Sequence, residues 1–425
     1  MADEHFLIRG GKILSGSVEV PGAKNAALKM IAACLLTEER CVLENVPRIT
    51  DVARMLAILR ALGVSVEEEQ KARRVVITAA RINPERLPVE DIRMLRASIV
   101  LLGPLLVRCG SVRIPHPGGD HIGARPLTAH FRALEQFGAA IEFDDSFINI
   151  RVPPRGLRAN KVVLPEFSVT ATENALMIAA GLSGETTIDI AALEPHVQDL
   201  GAMLSAMGAN VALAGPHRYR VRGSPKLHGA SCKVRGDPLV AFTFLSAGLL
   251  TRGEVAIRGA NPEDLTLPFA KLQEMGVRVK VHGDTFAAAD PPAVLQATNV
   301  QAMPYPGVPS DLQPLFALLA TKAEGISLIH DPLYENRFRY VEELLRMGAN
   351  ITHLDAHRIA VRGPTPLTGV PMASFDIRAG AVLVLAGLAA QGETMIDGVH
   401  HIDRGYEDLD GRLRELGADI QRVEE

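Results

Sequence analysis

The sequence contains no tryptophan, and aromatic residues make up only 4% of its 425 positions. Its core must therefore be aliphatic, packed from Ala, Leu, Val and Ile rather than large rings. Cysteine is scarce as well: Cys34, Cys41, Cys109 and Cys232 show no C-x-x-C spacing, which leaves no zinc or dithiol motif and reads as buried, reduced thiols. Neither sign of charge dominates. Forty-five Lys plus Arg against forty-nine Asp plus Glu give a net charge of -4, which argues against a nucleic-acid partner held by a broadly basic surface. The longest apolar runs, 97–107 and 379–390, contain Gly and fall short of the roughly 20 residues that cross a bilayer, so no membrane span is expected. MADEHFLIRG has acids where an export signal needs a basic start and an apolar run, and a cytoplasmic location is expected. Neither G-x-x-x-x-G-K-[ST] nor H-E-x-x-H occurs, which removes support for phosphate-loop NTPase and zinc hydrolase chemistry.

What is plentiful is glycine (37), proline (27) and apolar residues (47%), enough for two or three domains with sizeable cores. A helix that ends in an apolar residue and Gly, then runs into alternating apolar residues, recurs at RALGVSV, EQFGAAI, SAMGANV, QEMGVRV, LRMGANI and RELGADI. The glycines are Gly63, Gly138, Gly208, Gly276, Gly348 and Gly417, and the steps between them are 75, 70, 68, 72 and 69 residues. Each Gly is placed to end its helix in the left-handed conformation. One unit reads as helix, strand, helix, strand, strand, and six units predict an α and β architecture of two domains with three units each.

Polar residues gather in segments that interrupt these repeats. VPGAKNAAL puts Lys24 and Asn25 at a helix start, where backbone amides and the helix dipole attract anions. MLRASIVLLGPLL sets Arg96 at the opening of an apolar helix, either as a functional cation or as a snorkelling surface Arg. HPGGDHIGARP is the most unusual stretch: three glycines beside Asp120, His121 and Arg125 describe a flexible loop that can carry functional groups over a substrate. EFSVTATEN offers Ser168, Thr170 and Thr172 as caps or phosphate ligands. VPSDLQPLF, YENRF, SFDIRAG and HHIDRGYE add Asp311, Glu335 with Arg337, Asp376 with Arg378, and Asp403 with Arg404. These acid-plus-Arg segments read either as surface ion pairs or as parts of one anion site.

In this order, PGAKNAAL, MLRASI, PGGDxIGARP, SVTATEN, PSDLQ, ENRF, DIRAG and HIDRGYE resemble the UDP-N-acetylglucosamine enolpyruvyl transferase family essentially end to end. The resemblance implies a two-domain inside-out α/β barrel of six βαβαββ repeats, three per domain, with the active site between the domains. It places one domain at 22–235, with a mobile catalytic loop at 115–126, and the other at 1–21 plus 236–425. The implied reaction moves the enolpyruvyl group of phosphoenolpyruvate to the 3-hydroxyl of UDP-N-acetylglucosamine and releases phosphate through a tetrahedral intermediate. This is the first committed step of peptidoglycan synthesis, serving cell shape and division. No metal or organic cofactor is implied.

By that match Lys24, Arg125 and Arg404 hold phosphoenolpyruvate, with Arg378, Arg96 and Arg337 in support. Asp311 takes the sugar hydroxyl proton and Asp376 is a further active-site carboxylate. Asn25, Arg96, Arg125, Pro126, Leu127, Thr128, Ala129, Ser168, Val169, Thr170, Asp311 and Leu333 contact the UDP-sugar. Asp120 stands where many members carry Cys; a carboxyl of raised pKa can still protonate the methylene carbon, but it cannot be alkylated as a thiolate is, so insensitivity to fosfomycin is expected. Thr128, Glu166 and Val240 also depart from common family residues and bear on which nucleotide sugar is taken. The alternatives are a related UDP-sugar, shikimate 3-phosphate as acceptor, or a non-catalytic UDP-sugar-binding regulator.

Overall fold

The computed structural model describes residues 4–119, 122–144, 146–289 and 291–424. The chain divides into two compact units, the first made of Met1–Pro21, Asp120–Ala124 and Gly236–Glu425, the second of Gly22–Gly119 and Arg125–Arg235. The segment Asp120–Ala124 groups with the first unit, whereas the sequence reading kept it within 22–235.

Among the described residues each unit holds three sheets. In the second unit, Lys161–Val163 runs parallel to Gly184–Asp189, which pairs antiparallel with Arg218–Gly223, and Asn210–Leu213 closes the edge. Helix Val169–Ala180 connects the first two strands, and helix Pro195–Ala206 leads to the last two, giving the expected βαβαββ unit. The same strand order builds Ser231–Lys233, Arg40–Glu44, Arg74–Thr78 and Ser65–Glu69, while Ser111–Pro115, Phe147–Arg151 and Ala140–Phe143 form a three-stranded version.

The sheets of the first unit repeat the pattern with strands borrowed from the chain start. Gly16–Glu19 leads the sheet of Val255–Arg258, Thr285–Ala289 and Arg278–His282. Glu4–Arg9 enters between Glu393–Asp397 and Asp419–Glu424, and Pro371–Ala373 pairs with the far side of Glu393–Asp397. The third sheet is Leu295–Gln296, Ala323–His330, Arg358–Gly363 and Asn350–Asp355, with Val300–Gln301 also pairing along Ala323–His330.

The inside-out expectation takes a concrete form. In the first unit, helices Pro238–Thr251, Gln313–Ala320 and Ile377–Ala389 pack on one another, and every residue from Leu239 to Leu250 is buried. A helix apolar all round belongs in an interior, and the sheets lie outside it with one wet face, as the alternating burial of Arg218–Gly223 illustrates for the other unit. Among the described residues the six sheets remain separate and open, so each unit is a helical core clad in sheets rather than a closed strand barrel. Phe242 and Phe316, with ring centroids 5.1 Å apart, are among the few rings in an otherwise aliphatic core.

All six repeat glycines adopt positive φ, from +85° at Gly276 to +106° at Gly208. Only glycine enters this region without steric cost, so each ends its helix and turns the chain into the next strand. No helix among the described residues is long and apolar enough to cross a membrane.

Candidate functional site

In the second unit the predicted residues cluster at helix beginnings. Gly22 approaches the backbone so closely that a Cβ there would lie 1.8 Å from the Asn45 carbonyl oxygen. This contact fixes the turn that starts helix Lys24–Ala33 at Lys24 and Asn25. Lys24 Nζ donates to Asp51 Oδ2 at 3.1 Å, and Asp51 is 2% exposed. The lysine is therefore aimed by a buried carboxylate, a partner the sequence reading did not name.

Arg96 opens a 3-10 turn, Arg96–Leu101, before helix Leu102–Cys109, rather than the first turn of an α-helix. Its Nη1 donates to the Pro117 carbonyl at 3.1 Å and its Nη2 to the Arg125 carbonyl. It thus fastens both limbs of the 115–126 loop. Gly118 lies against the Arg93 carbonyl, where a Cβ would sit 1.7 Å away. Arg125 is half-buried, Thr128 is exposed at the start of helix Thr128–Gln136, and Ala129 is buried. Asp120 and His121 lie outside the described residues.

His130 escaped the sequence reading and proves central to this set. It is 3% exposed, and its Nε2 lies 2.9 Å from Thr170 Oγ1. That contact joins the segment of Arg125, Pro126, Leu127, Thr128 and Ala129 to that of Ser168, Val169 and Thr170. Burial, and after it the charge of Arg96, draws the imidazole down to about 4, so His130 is neutral near pH 7. Its only sequence signal was its place three residues beyond Leu127.

The hydroxyls of EFSVTATEN divide differently from expectation. Ser168 holds the N-cap position but makes no side-chain cap bond. Thr172 donates to the Ser168 carbonyl at 2.8 Å and accepts from Ala192 N–H at 3.0 Å, a structural role that removes it from the ligand candidates. Asn174 braces the helix by accepting from Gly103 N–H and donating to the Ile99 and Thr170 carbonyls. Glu173, fully buried 3.7 Å from Lys29, has its carboxyl raised to about 8, first by desolvation. Glu166 is exposed.

In the first unit, Asp311 is gripped by two arginines. Arg337 Nη2 donates to Oδ1 at 2.7 Å and Arg378 Nε to Oδ2 at 3.2 Å. Both arginines are nearly sequestered, 4% and 5% exposed; burial works against their charge, yet each is held more firmly protonated than usual, Arg337 by Asp311 first and Arg378 by Tyr406 and then Asp311. Arg378 Nη1 is buried with no hydrogen-bond partner among the described residues. Buried guanidinium nitrogens are ordinarily satisfied, so this one is a ready donor to an anion.

Asp376 caps helix Ile377–Ala389, its Oδ1 accepting from Arg378 N–H at 2.8 Å and Ala379 N–H at 2.7 Å. Asp237 caps helix Pro238–Thr251 in the same way, and Val240 beyond it is buried core, 2% exposed. Leu333 is exposed, with its N–H on Asp331 Oδ1 at 3.0 Å. Glu335 Oε1 accepts from Ala124 N–H at 2.7 Å, and Asn336 N–H donates to the Ile122 carbonyl. Gly123 is required at that contact, since a Cβ would lie 2.5 Å from Glu335 Oε2. Arg404 is half-buried, just past the short helix Val399–Ile402. Among the described residues no group of three His, Cys, Asp or Glu is arranged to hold a metal ion.

Helical cores clad in repeated βαβαββ sheets are the fold of the enolpyruvyl transferase class. The family model of EPSP synthase (3-phosphoshikimate 1-carboxyvinyltransferase) matches residues 8–413. The solved enolpyruvyl transferase NikO from Streptomyces tendae superposes with a TM-score of 0.90 at 29% identity, covering 100% of both chains. EPSP synthase from Acinetobacter baumannii, at 20% identity and a TM-score of 0.74 over 99% of this chain and 100% of that one, shares the fold.

Curated relatives narrow the class. UDP-N-acetylglucosamine 1-carboxyvinyltransferase of Acidobacterium capsulatum is 42% identical over 99% of this chain and 96% of its own length. UDP-N-acetylglucosamine 1-carboxyvinyltransferase 1 of Symbiobacterium thermophilum is 43% identical over the same shares. The chain belongs to the UDP-N-acetylglucosamine 1-carboxyvinyltransferase family, and it is a carboxyvinyl-transferring enzyme.

Proposed function

We propose that this enzyme transfers the enolpyruvyl group of phosphoenolpyruvate to the 3-hydroxyl of UDP-N-acetylglucosamine in the cytoplasm, the first committed step of peptidoglycan synthesis. Growth and division of the cell wall would depend on it. The observation that carries the reading is Arg378, buried beside Asp311 with Nη1 unpartnered among the described residues. Phosphoenolpyruvate brings a phosphate and a carboxylate on three carbons, and guanidinium groups match both in planar, bidentate geometry. Lys24, held by Asp51, with Arg125 and Arg404, supplies the remaining charge.

The steps follow from these groups. Asp120 gives a proton to the methylene carbon, the sugar 3-oxygen bonds to the adjacent carbon, and Asp311 takes the hydroxyl proton. The resulting tetrahedral intermediate loses a proton from the new methyl group and expels phosphate, which restores the double bond on the sugar ether. Two guanidiniums hold and orient the Asp311 carboxylate. Asn25, Arg96, Arg125, Pro126, Leu127, Thr128, Ala129, Ser168, Val169, Thr170 and Leu333 would line the UDP-sugar, with Arg337 and Asp376 keeping Asp311 and Arg378 in place. The chemistry as written needs neither metal nor organic cofactor.

Phosphate release from phosphoenolpyruvate tests the reading, with UDP-N-acetylglucosamine, shikimate 3-phosphate or no acceptor. Release with the UDP-sugar alone is expected. Release with shikimate 3-phosphate, or none with any acceptor, overturns it.

A further inference from the structure

The last strand carries an arginine that no part of the proposed chemistry uses. Arg422, on Asp419–Glu424, lies five residues beyond the repeat glycine Gly417. The same offset from Gly138, Gly208 and Gly276 falls on Phe143, Leu213 and Val281, which stand exposed on their sheets. The repeat itself therefore asks for no arginine here.

Arg422 nevertheless pairs with three carboxylates, those of Glu4, Asp403 and Asp410. Nη1 donates to Glu4 Oε2 and to Asp403 Oδ2, both at 2.8 Å. Nη2 donates to Asp403 Oδ1 at 2.8 Å and to Asp410 Oδ1 at 3.1 Å. The guanidinium also stacks over Phe6, 5.0 Å from the ring centroid. Asp403 is thus gripped by a two-pronged fork whose own orientation is fixed by two further carboxylates and a ring. Asp403 is the residue before Arg404.

The surrounding turn is pinned on its other side. Asp403 N–H donates to the Val399 carbonyl at 3.1 Å and Gly405 N–H to that of Ile402 at 3.0 Å. At Gly405 a Cβ would lie 2.5 Å from Ile377 Cγ2, and Tyr406 O–H lies 2.9 Å from Thr243 Oγ1. On the Asp403 side of the turn the clamp is the Arg422 guanidinium.

We infer that Arg422 is a positioning residue for the transfer reaction: through its bidentate hold on Asp403 it sets the direction of Arg404 toward the phosphoenolpyruvate anion. The inference rests on the proposed function, because it takes Arg404 as a ligand of that substrate. An arginine fork fixes direction as well as charge, which a lysine point charge does not, and misdirection of an anion ligand by a fraction of an ångström is costly to turnover.

The test uses the full chain with R422K and D403N, measuring KM for each substrate, kcat and thermal midpoint. R422K should raise KM for phosphoenolpyruvate about tenfold, leave that for UDP-N-acetylglucosamine within about twofold, and keep the wild-type midpoint within a few degrees. D403N, which leaves Arg422 with Glu4 and Asp410, should reproduce the effect even where R422K folds poorly. The double variant should be no worse than either alone. Unchanged KM for phosphoenolpyruvate in both variants, equal rises for both substrates, or additive effects overturn the inference. Failure of the proposed function would show differently, as absence of UDP-sugar-dependent phosphate release in the unaltered enzyme.

Discussion

Replacing His130 by Gln removes a titrating group from the second unit while leaving an amide able to meet Thr170, the partner His130 holds at 2.9 Å. In the folded chain His130 is drawn from 6.5 to about 4, chiefly by burial. The unfolded chain therefore takes up a proton first as pH falls. The stabilising difference is whole above pH 6.5 and is lost as pH drops toward 4. At ~1.36 kcal/mol per pH unit, the loss over that interval comes to about 3 kcal/mol. Arg96 matters to this figure, because its charge adds to the penalty on imidazolium. Amide hydrogen exchange of helix Thr128–Gln136, followed by mass spectrometry across this pH range, reads the opening free energy of the relevant segment. The unaltered chain should lose about 3 kcal/mol more protection than H130Q between pH 7 and 4. Parallel pH profiles for the two proteins would refute the reasoning.

Other predictions follow from single contacts. Gly22→Ala forces a methyl group onto the Asn45 carbonyl, 1.8 Å from where its Cβ would fall. It should cost the second unit about 2 kcal/mol or more in urea unfolding and raise KM for phosphoenolpyruvate through Lys24; a neutral result would contradict the close approach. Glu173 has its carboxyl raised to about 8, so the folded state holds a proton that the unfolded state releases above about 4.5, and stability declines as pH rises through that window. Relative to the unaltered chain, E173Q should gain stability between pH 6 and 9, read from thermal midpoints, and a constant difference would count against it. Fosfomycin should form no covalent adduct with the enzyme, because Asp120 offers no thiolate; stoichiometric mass addition on the intact protein would disprove this.

The repeat was legible because its marks are local. A glycine that must take positive φ, preceded by an amphipathic helix and followed by alternating residues, can be read in each of six copies, and each of the six glycines takes that conformation. The leading strand of each unit was not read from the residues. Lys161–Val163, Ser231–Lys233, Pro371–Ala373 and Leu295–Gln296 are two or three residues long, too short for a period-two pattern to register. Only the family resemblance supplied that strand.

The candidate site was legible where a segment is rich in unusual polar residues, as at PGAKNAAL and SFDIRAG. It was incomplete where a polar residue also serves the backbone: Asp376, expected as an active-site carboxylate, caps a helix, and Thr172, open to a capping or a phosphate-binding role, ties Ser168 to Ala192. It was silent where the chemistry depends on distant chain segments meeting. Glu4 and Arg422 stand 418 positions apart and share an ion pair, and His130 finds Thr170 from 40 positions away. No local pattern encodes such pairings: the sheet that joins Glu4–Arg9 to Asp419–Glu424 makes the first, and the packing of helix Thr128–Gln136 on helix Val169–Ala180 the second.

Running the reaction in deuterated water tests enolpyruvyl transfer most directly. Protonation of the methylene carbon and its later reversal should leave deuterium in the vinyl group of an enolpyruvyl ether on UDP-N-acetylglucosamine, with one phosphate released per ether formed. A UDP-sugar recovered unchanged while phosphate accumulates, or an enolpyruvyl group found on shikimate 3-phosphate instead, would contradict it.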